Sequence, residues 1–281
     1  MNEKILKTKS NGFAALFFIV LMIIVAIASF ISSIAFLKNE ALAVVGVLLS
    51  IFLFIGSIIS FGGLKVVKPQ EAIVLTLFGD YTGTIKEPGF YFVNPFSVAV
   101  NPASKTKLGQ SGDVDRQNTP IAVGNAGIEA NLDAFKKHIS LKIMTLNNSR
   151  QKINDCLGNP VEIGIAVTWK VVDTAKAVFN VDNYKEYLSL QCDSALRNIV
   201  RIYPYDVAPN VDTTGDGIAD EGSLRGSSEV VAKRIRDEIQ ARVENAGLEI
   251  IEARITYLAY APEIAAVMLQ RQQASAIIDA R

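Results

Sequence analysis

Seven oxygen-bearing side chains crowd residues 212–223 of this 281-residue chain, among them Asp212, Thr214, Asp216, Asp220 and Ser223, with Gly217 in their midst. Calcium would be their chemistry. A hard cation takes six to eight oxygens, and a twelve-residue loop supplies them at fixed positions around a sharp glycine turn at the sixth. Asp212, Asp216, Gly217 and Asp220 fall on the first, fifth, sixth and ninth positions. Thr214 stands where an acid or amide is usual, and Ser223 replaces the bidentate glutamate of the twelfth. No helical pattern enters the stretch, which Pro204 and Pro209 precede. It reads first as an acidic, glycine-rich turn between two helices, and a calcium-responsive module using residues 212–222 is the second reading.

The other reactive side chains are sparse. His138 is the single histidine, so neither a metal cluster nor a Ser–His–acid arrangement can be assembled in the usual way. It is expected to be a surface or strand-end residue. Gly124-Asn125-Ala126-Gly127 lacks the spacing and the strand-to-helix context of a phosphate loop. The paired carboxylates Asp237 and Glu238 share a helical face with Arg234, Arg236 and Arg242, so ion pairing is the expectation. Cys156 and Cys192 are too few for a disulfide framework and suit a reducing compartment as buried small apolar side chains. The chain is expected not to be an enzyme, and no catalytic, cofactor-binding or metal residue is assigned. A membrane-bound hydrolase is the last of the readings carried.

The formal net charge is zero, which gives no basis for broad capture of nucleic acid. What is unusual is where the charges are missing. Residues 12–37 are 26 in a row without one, and residues 41–64 are 24 more. At 1.5 Å per residue each run makes a helix of roughly 35–39 Å, enough to cross a hydrocarbon core of about 30 Å. A cleavable signal peptide needs about half that apolar length. Only Lys38-Asn39-Glu40 separates the runs, so they should form a tight helical hairpin. Lys4, Lys7 and Lys9 precede it, and Lys65 and Lys68 follow. By the positive-inside tendency both ends face the cytoplasm of a plasma (inner) membrane, in a multi-pass arrangement. Whether the hairpin spans fully or dips in and returns, the sidedness is the same. The small residues Gly46, Ser50, Gly56, Ser57 and Ser60 would permit close helix contact.

Downstream the pattern is α+β. Strand signals occupy Ala72–Phe78, Thr84–Lys86 and Phe90–Val93, a meander beside the membrane. Residues 101–137 read as an extended polar loop with a short helix near Ala130–Lys137. Residues 138–146 alternate and predict one strand, paired with Val161–Val172, in which Val161, Ile163, Ile165, Val167 and Trp169 share a face. Asp173 should cap a short helix, TAKAVF, and a longer one runs from about Asn183 to Arg201. A serine cap at Ser227-Ser228 opens the next helix, with Val231, Ile235, Ile239 and Val243 as its apolar stripe and Gly247 as its stop. Ile251, Ala253, Ile255 and Tyr257 alternate with Glu252, Arg254 and Thr256 in one further strand. Pro262 then opens the last helix, whose apolar edge is Ile264, Val267, Met268, Ala274 and Ile278.

This order of parts resembles the SPFH, or band 7, family of stomatins, prohibitins, flotillins and bacterial relatives. Val67-Lys68-Pro69-Gln70-Glu71-Ala72-Ile73-Val74 with Phe78-Gly79 is similar to the family's opening strand. Glu87-Pro88-Gly89-Phe90-Tyr91-Phe92 with Pro95-Phe96 resembles its turn of proline, glycine and aromatic residues. Asn159-Pro160-Val161-Glu162-Ile163 and Val171–Val178 resemble its central strand and following helix, Ala195-Leu196-Arg197 a triplet on its long helix, and Ala261-Pro262-Glu263-Ile264 with Met268 its closing helix. The likeness spans roughly residues 65–281. Alongside the basic tail at 1–11 and the hairpin at 12–64, it implies an SPFH domain at 65–261 and the start of a coiled-coil-type helix at 262–281. It also implies a function: a membrane-anchored, self-assembling scaffold that organises a membrane microdomain. Its expected partners are membrane lipids, further copies of the chain in a ring or array, and a membrane protease or other membrane protein.

Overall fold

The computed structural model describes residues 2–6, 10–35, 40–106, 137–206 and 222–279, with side chains for all of these except 40–41 and 271–279. The chain divides into two compact units, one built from the described residues up to 104 together with 137–141, the other from 142 onwards with 105–106.

The first unit begins with two long helices, α1 (Gly12–Ala35) and α2 (Glu40–Phe61). After the Gly62-Gly63 turn come β1 (Leu64–Val67), β2 (Glu71–Leu77), β3 (Asp80–Ile85), β4 (Gly89–Phe92) and β5 (Val98–Ala99). β1 pairs with β4 in a two-stranded ribbon, while β2 takes β3 on one edge and β5 on the other. β6 (Ile139–Ser140) also joins β2, through Ala72 opposite Ile139. Val67, Ile73, Leu75, Ile85 and Tyr91 make the core of this unit, and Leu6, from ahead of the hairpin, packs against it.

The second unit is a four-stranded antiparallel sheet covered by helices. Its axis is β9 (Pro160–Val171), with β10 (Leu248–Tyr260) along one side and β7 (Met144–Asn147) and β8 (Gln151–Asn154) along the other. Val161, Ile163, Ile165, Val167 and Trp169 are all fully buried, the shared face that their period-two spacing implied. The helices are α3 (Thr174–Phe179), α4 (Tyr184–Val200), α5 (Ser228–Val243) and α6 (Pro262–Asp279). α4 buries Leu188, Cys192, Ala195, Leu196 and Ile199, and α5 buries Val231, Ile235, Ile239 and Val243. Asp173 caps α3 by accepting from Lys176 N at 2.9 Å, and Asn183 caps α4 through Lys185 N and Glu186 N.

Three sequence expectations are corrected, and one strand was not expected. Residues 138–146 are two strands, β6 and β7, which belong to different units. The apolar positions change parity there: Ile139 is buried and Ile143 is 61 % exposed, whereas Met144 and Leu146 are the buried pair. Ile251 does not face the core, because a bulge between Ile250 and Glu252 shifts the register and turns it outward while Ala253 stays in. Ser227 sits at the start of α5 but makes no side-chain capping bond. β8 carries only one buried apolar residue, Ile153, so no alternation announces it. The expected helix near Ala130–Lys137 falls almost wholly outside the described residues.

Candidate functional site

The hairpin is apolar on every side. α1 buries Gly12, Ile19, Ala26 and Ser33, a seven-residue repeat that runs down one stripe, with Gly12 lying against Phe90 of β4. The facing stripe of α2 contains Ser50 and Ser57, both buried. Their hydroxyls return to the helix itself: Ser50 donates to Val47 O at 2.8 Å, Ser57 to Phe54 O at 2.6 Å and Ser60 to Gly56 O at 2.8 Å. These three hydroxyls are satisfied within the helix and do not depend on water, which is what a hydrocarbon environment requires. Gly56 contributes less than expected, since an added Cβ there would meet nothing within 4 Å. Most of the other described residues on the two helices are exposed, including Phe17, Phe18, Ile24, Ile31, Leu48, Leu49 and Phe52. Only 11 % of each apolar window is buried. An apolar surface of that extent is untenable in water.

Both ends of the hairpin are fixed to the same β strands. At the entrance, Asn11 Oδ1 accepts from Phe92 N at 3.1 Å, and Phe13 meets Phe90 edge-on at 5.2 Å between ring centroids. Gly12 is required for this approach, because a Cβ would lie 2.6 Å from the Phe90 ring. At the exit, Val93 N donates to Gly63 O at 2.9 Å, and a Cβ on Gly63 would stand 2.4 Å from Val93 O. The chain ahead of the hairpin, expected as a tail, is a short extended strip along β3. Thr84 N donates to Lys4 O at 2.8 Å, Leu6 N donates to Thr84 O at 2.9 Å, and Lys86 Nζ binds Glu3 Oε2 at 2.6 Å. Lys4, Lys65 and Lys68 all flank the helices on this side. Burial pushes the Lys65 ammonium below its ordinary range, and Lys137 adds to the effect.

The described residues weighed for chemistry lie elsewhere and are held in structural roles. His138 sits just before β6, its Nδ1 2.9 Å from Glu71 Oε2 on β2 and its carbonyl accepting from Asn101 Nδ2 at 2.8 Å. Asp237 pairs with Arg236, and Glu238 with Arg242 at 2.7 Å one turn on. The acidic stretch at 212–221 lies outside the described residues. Its neighbour Ser223 is buried, with Oγ accepting from Gly226 N at 2.8 Å. Among the described residues no three His, Cys, Asp or Glu side chains converge in a way that could hold a metal ion.

The cysteines differ from each other. Cys192 is buried in α4, where desolvation, reinforced by Asp193, pushes its thiol from 9.0 up to about 12. Cys156 is exposed, contrary to expectation, because it sits in the tight connection between β8 and β9. One thiol should therefore react with a maleimide in the native protein and two after denaturation, and Cys156→Ser should abolish the native signal. Because the folded state holds the Cys192 proton more tightly, that contribution to stability is intact below about pH 9 and fades as pH rises towards 12.

Sequence reading missed the most connected buried carboxylate. Asp155 is 4 % exposed and accepts from Leu157 N, Asn159 N and Asn159 Nδ2, and from Tyr205 N beyond α4. The available signal was an aspartate three residues before a glycine and four before Asn159, the pattern of a side-chain-closed turn; Gly158 has φ +82°. Asp155→Ala should cost about 2–3 kcal/mol by orphaning these donors, with Asp155→Asn recovering part. Urea unfolding followed by the fluorescence of Trp169, the sole tryptophan, reads this directly.

A model of the SPFH domain / Band 7 family matches residues 65–281. No curated protein matches the chain.

Proposed function

The chain belongs to the SPFH domain / Band 7 family, and from that membership we propose that it is a membrane-anchored scaffold that assembles with its own copies on the bilayer. The observation that carries the anchoring is that both ends of an all-round apolar helical hairpin are hydrogen-bonded into one β unit. With α1 and α2 in the bilayer, residues 2–6 and everything after Gly63 lie on one face of it. The flanking lysines support a cytoplasmic placement of that face. The sequence holds no second uncharged run of comparable length after residue 64.

Assembly is supported by the second unit. α6 starts from a fixed point: Ala261 N donates to Pro160 O at 2.9 Å, and Lys152 binds Glu263, holding that carboxyl below its usual range. Along its length Val267 and Leu269 are 63 % and 57 % exposed. A helix with outward-facing apolar residues and a fixed origin gives neighbouring copies a repeated contact. The family is generally one of non-enzymatic scaffolds, and His138, Asp237 and Glu238 are held in ion pairs. The test is the mass of the full-length protein extracted in mild detergent and measured by light scattering, with electron microscopy of the same particles. Particles of many copies are expected. A uniform population of single 30.5 kDa chains overturns the assembly reading.

A further inference from the structure

One apolar patch lies on the β unit outside the hairpin. β2 turns into β3 through only two residues, Phe78 and Gly79, with φ +52° and +98°. Two left-handed residues in succession make the tight hairpin turn that normally takes asparagine or glycine first. A phenylalanine is strained in that backbone, and here it buries nothing: Phe78 is 88 % exposed. Its ring stacks on Phe96, with centroids 6.3 Å apart and planes within 25°. Phe96 is itself 57 % exposed. Val98, 51 % exposed, completes the patch from β5, where it lies opposite Thr76, two residues before Phe78.

The patch continues the apolar surface of the hairpin. α2 ends at Phe61, 42 % exposed. The next residue, Gly62, lies against Pro95, whose carbonyl oxygen would be 3.3 Å from a Cβ placed there. Phe96 follows Pro95 directly. The end of α2 at Phe61-Gly62 is thus adjoined by Pro95-Phe96, and through the Phe96 stack to Phe78. Neither the Phe78-Gly79 turn nor the Asn94–Val98 segment contains a lysine or arginine, so attraction to anionic headgroups is not what this surface offers.

Resting on the membrane-anchor reading, we propose that Phe78, Phe96 and Val98 form an interfacial foot. The three side chains enter the headgroup–acyl boundary of the bilayer that holds the hairpin, so the β unit lies on the lipid surface. The ligand is the neutral apolar layer beneath the headgroups, and insertion follows buried apolar area. The strain of a left-handed phenylalanine at the turn is offset by taking its ring out of water in the working protein.

The test uses the full-length chain in phosphatidylcholine vesicles, with Trp169→Phe removing the sole tryptophan. Three reporters are placed singly: Phe78→Trp, Phe96→Trp, and Ile24→Trp at the middle of α1. Each is quenched with lipids brominated either near the headgroup end of the acyl chain or deep within it. The proposal expects blue-shifted emission from Phe78→Trp and Phe96→Trp, quenched at least twofold more by shallow than by deep bromines. It expects the reverse depth order for Ile24→Trp, and the same result in purely zwitterionic lipid at high salt. If Ile24→Trp is quenched by deep bromines while Phe78→Trp emits as in water and is unquenched, the foot is overturned and the hairpin anchor stands. Blue-shifted but unquenched Phe78→Trp means that protein, such as a second copy, covers the patch, and that also overturns it. If Ile24→Trp is unquenched as well, the anchor reading itself fails.

Discussion

Replacing Gly247 with valine should destabilise the second unit by about 3–5 kcal/mol, adding backbone strain to overpacking. Gly247 lies between α5 and β10 at φ 67° and ψ 27°, a left-handed position that a β-branched residue adopts only with strain. Space is the larger obstacle. A Cβ would stand 2.2 Å from the carbonyl oxygen of Asp173 and 3.0 Å from Lys176 Cβ. The glycine carbonyl also accepts from Val172 N and Asp173 N, at 2.9 and 3.1 Å. It thereby ties the end of β9 and the cap of α3 to the turn that starts β10. Moving the turn to admit a side chain would break those bonds as well. Trp169 on β9 reports the unfolding of this unit, so urea titration of its fluorescence should show a lower midpoint for Gly247→Val, with Gly247→Ala intermediate. An unchanged midpoint would mean that the turn is not packed as described.

The second large effect concerns the hairpin, and its sign separates a bilayer from water. Ile24 and Leu49 lie near the middles of α1 and α2, 58 % and 55 % exposed. On the surface of a soluble helix, Ile24→Arg and Leu49→Arg would be close to neutral and would improve solubility. In a bilayer each arginine costs about 2.5–3.5 kcal/mol at the helix centre and removes a favourable aliphatic residue. The double variant should therefore lose about 5–7 kcal/mol of insertion free energy. The expected result is that the parent chain resists alkaline extraction from membranes, each single variant is partly released, and the double variant is largely released. Retention of the double variant at the parent level would show that the helices do not sit in hydrocarbon.

The sequence made the long, regular elements legible because one physical pattern dominated each. The uncharged runs give α1 and α2, and five alternating apolar residues give the buried face of β9. Asp173 and Gly247 mark a helix start and a helix stop by unambiguous local chemistry. The misreadings share a cause, which is that two patterns meet where only one was visible. Residues 138–146 alternate throughout, yet their apolar parity shifts at Ile143-Met144, where the chain passes from one unit to the other. The bulge at Ile251 exchanges faces in mid-strand. Cys156 has an apolar neighbour in sequence but lies in a turn organised by Asp155, whose partner Tyr205 is fifty residues away and could not be inferred locally. At the anchor, the lysines indicated that both hairpin ends share a side. They gave no hint that residues 2–6 form an edge strip on β3, since five residues are too few for a period. Phe78 was read as part of a strand. Only the paired left-handed dihedrals reveal that it is held at the tip of a turn.

Sidedness tests the anchor most directly. In a Cys156→Ser background, where buried Cys192 is silent, single cysteines are placed at Asn2→Cys and Asn39→Cys and compared with native Cys156. A membrane-impermeant maleimide is then applied to sealed vesicles of each orientation. A fully spanning hairpin with both ends bound to one β unit predicts that Asn2→Cys and Cys156 label from one face and Asn39→Cys from the opposite face. Labelling of Asn2→Cys and Cys156 from opposite faces, or of Asn39→Cys from the same face as Cys156, would contradict it.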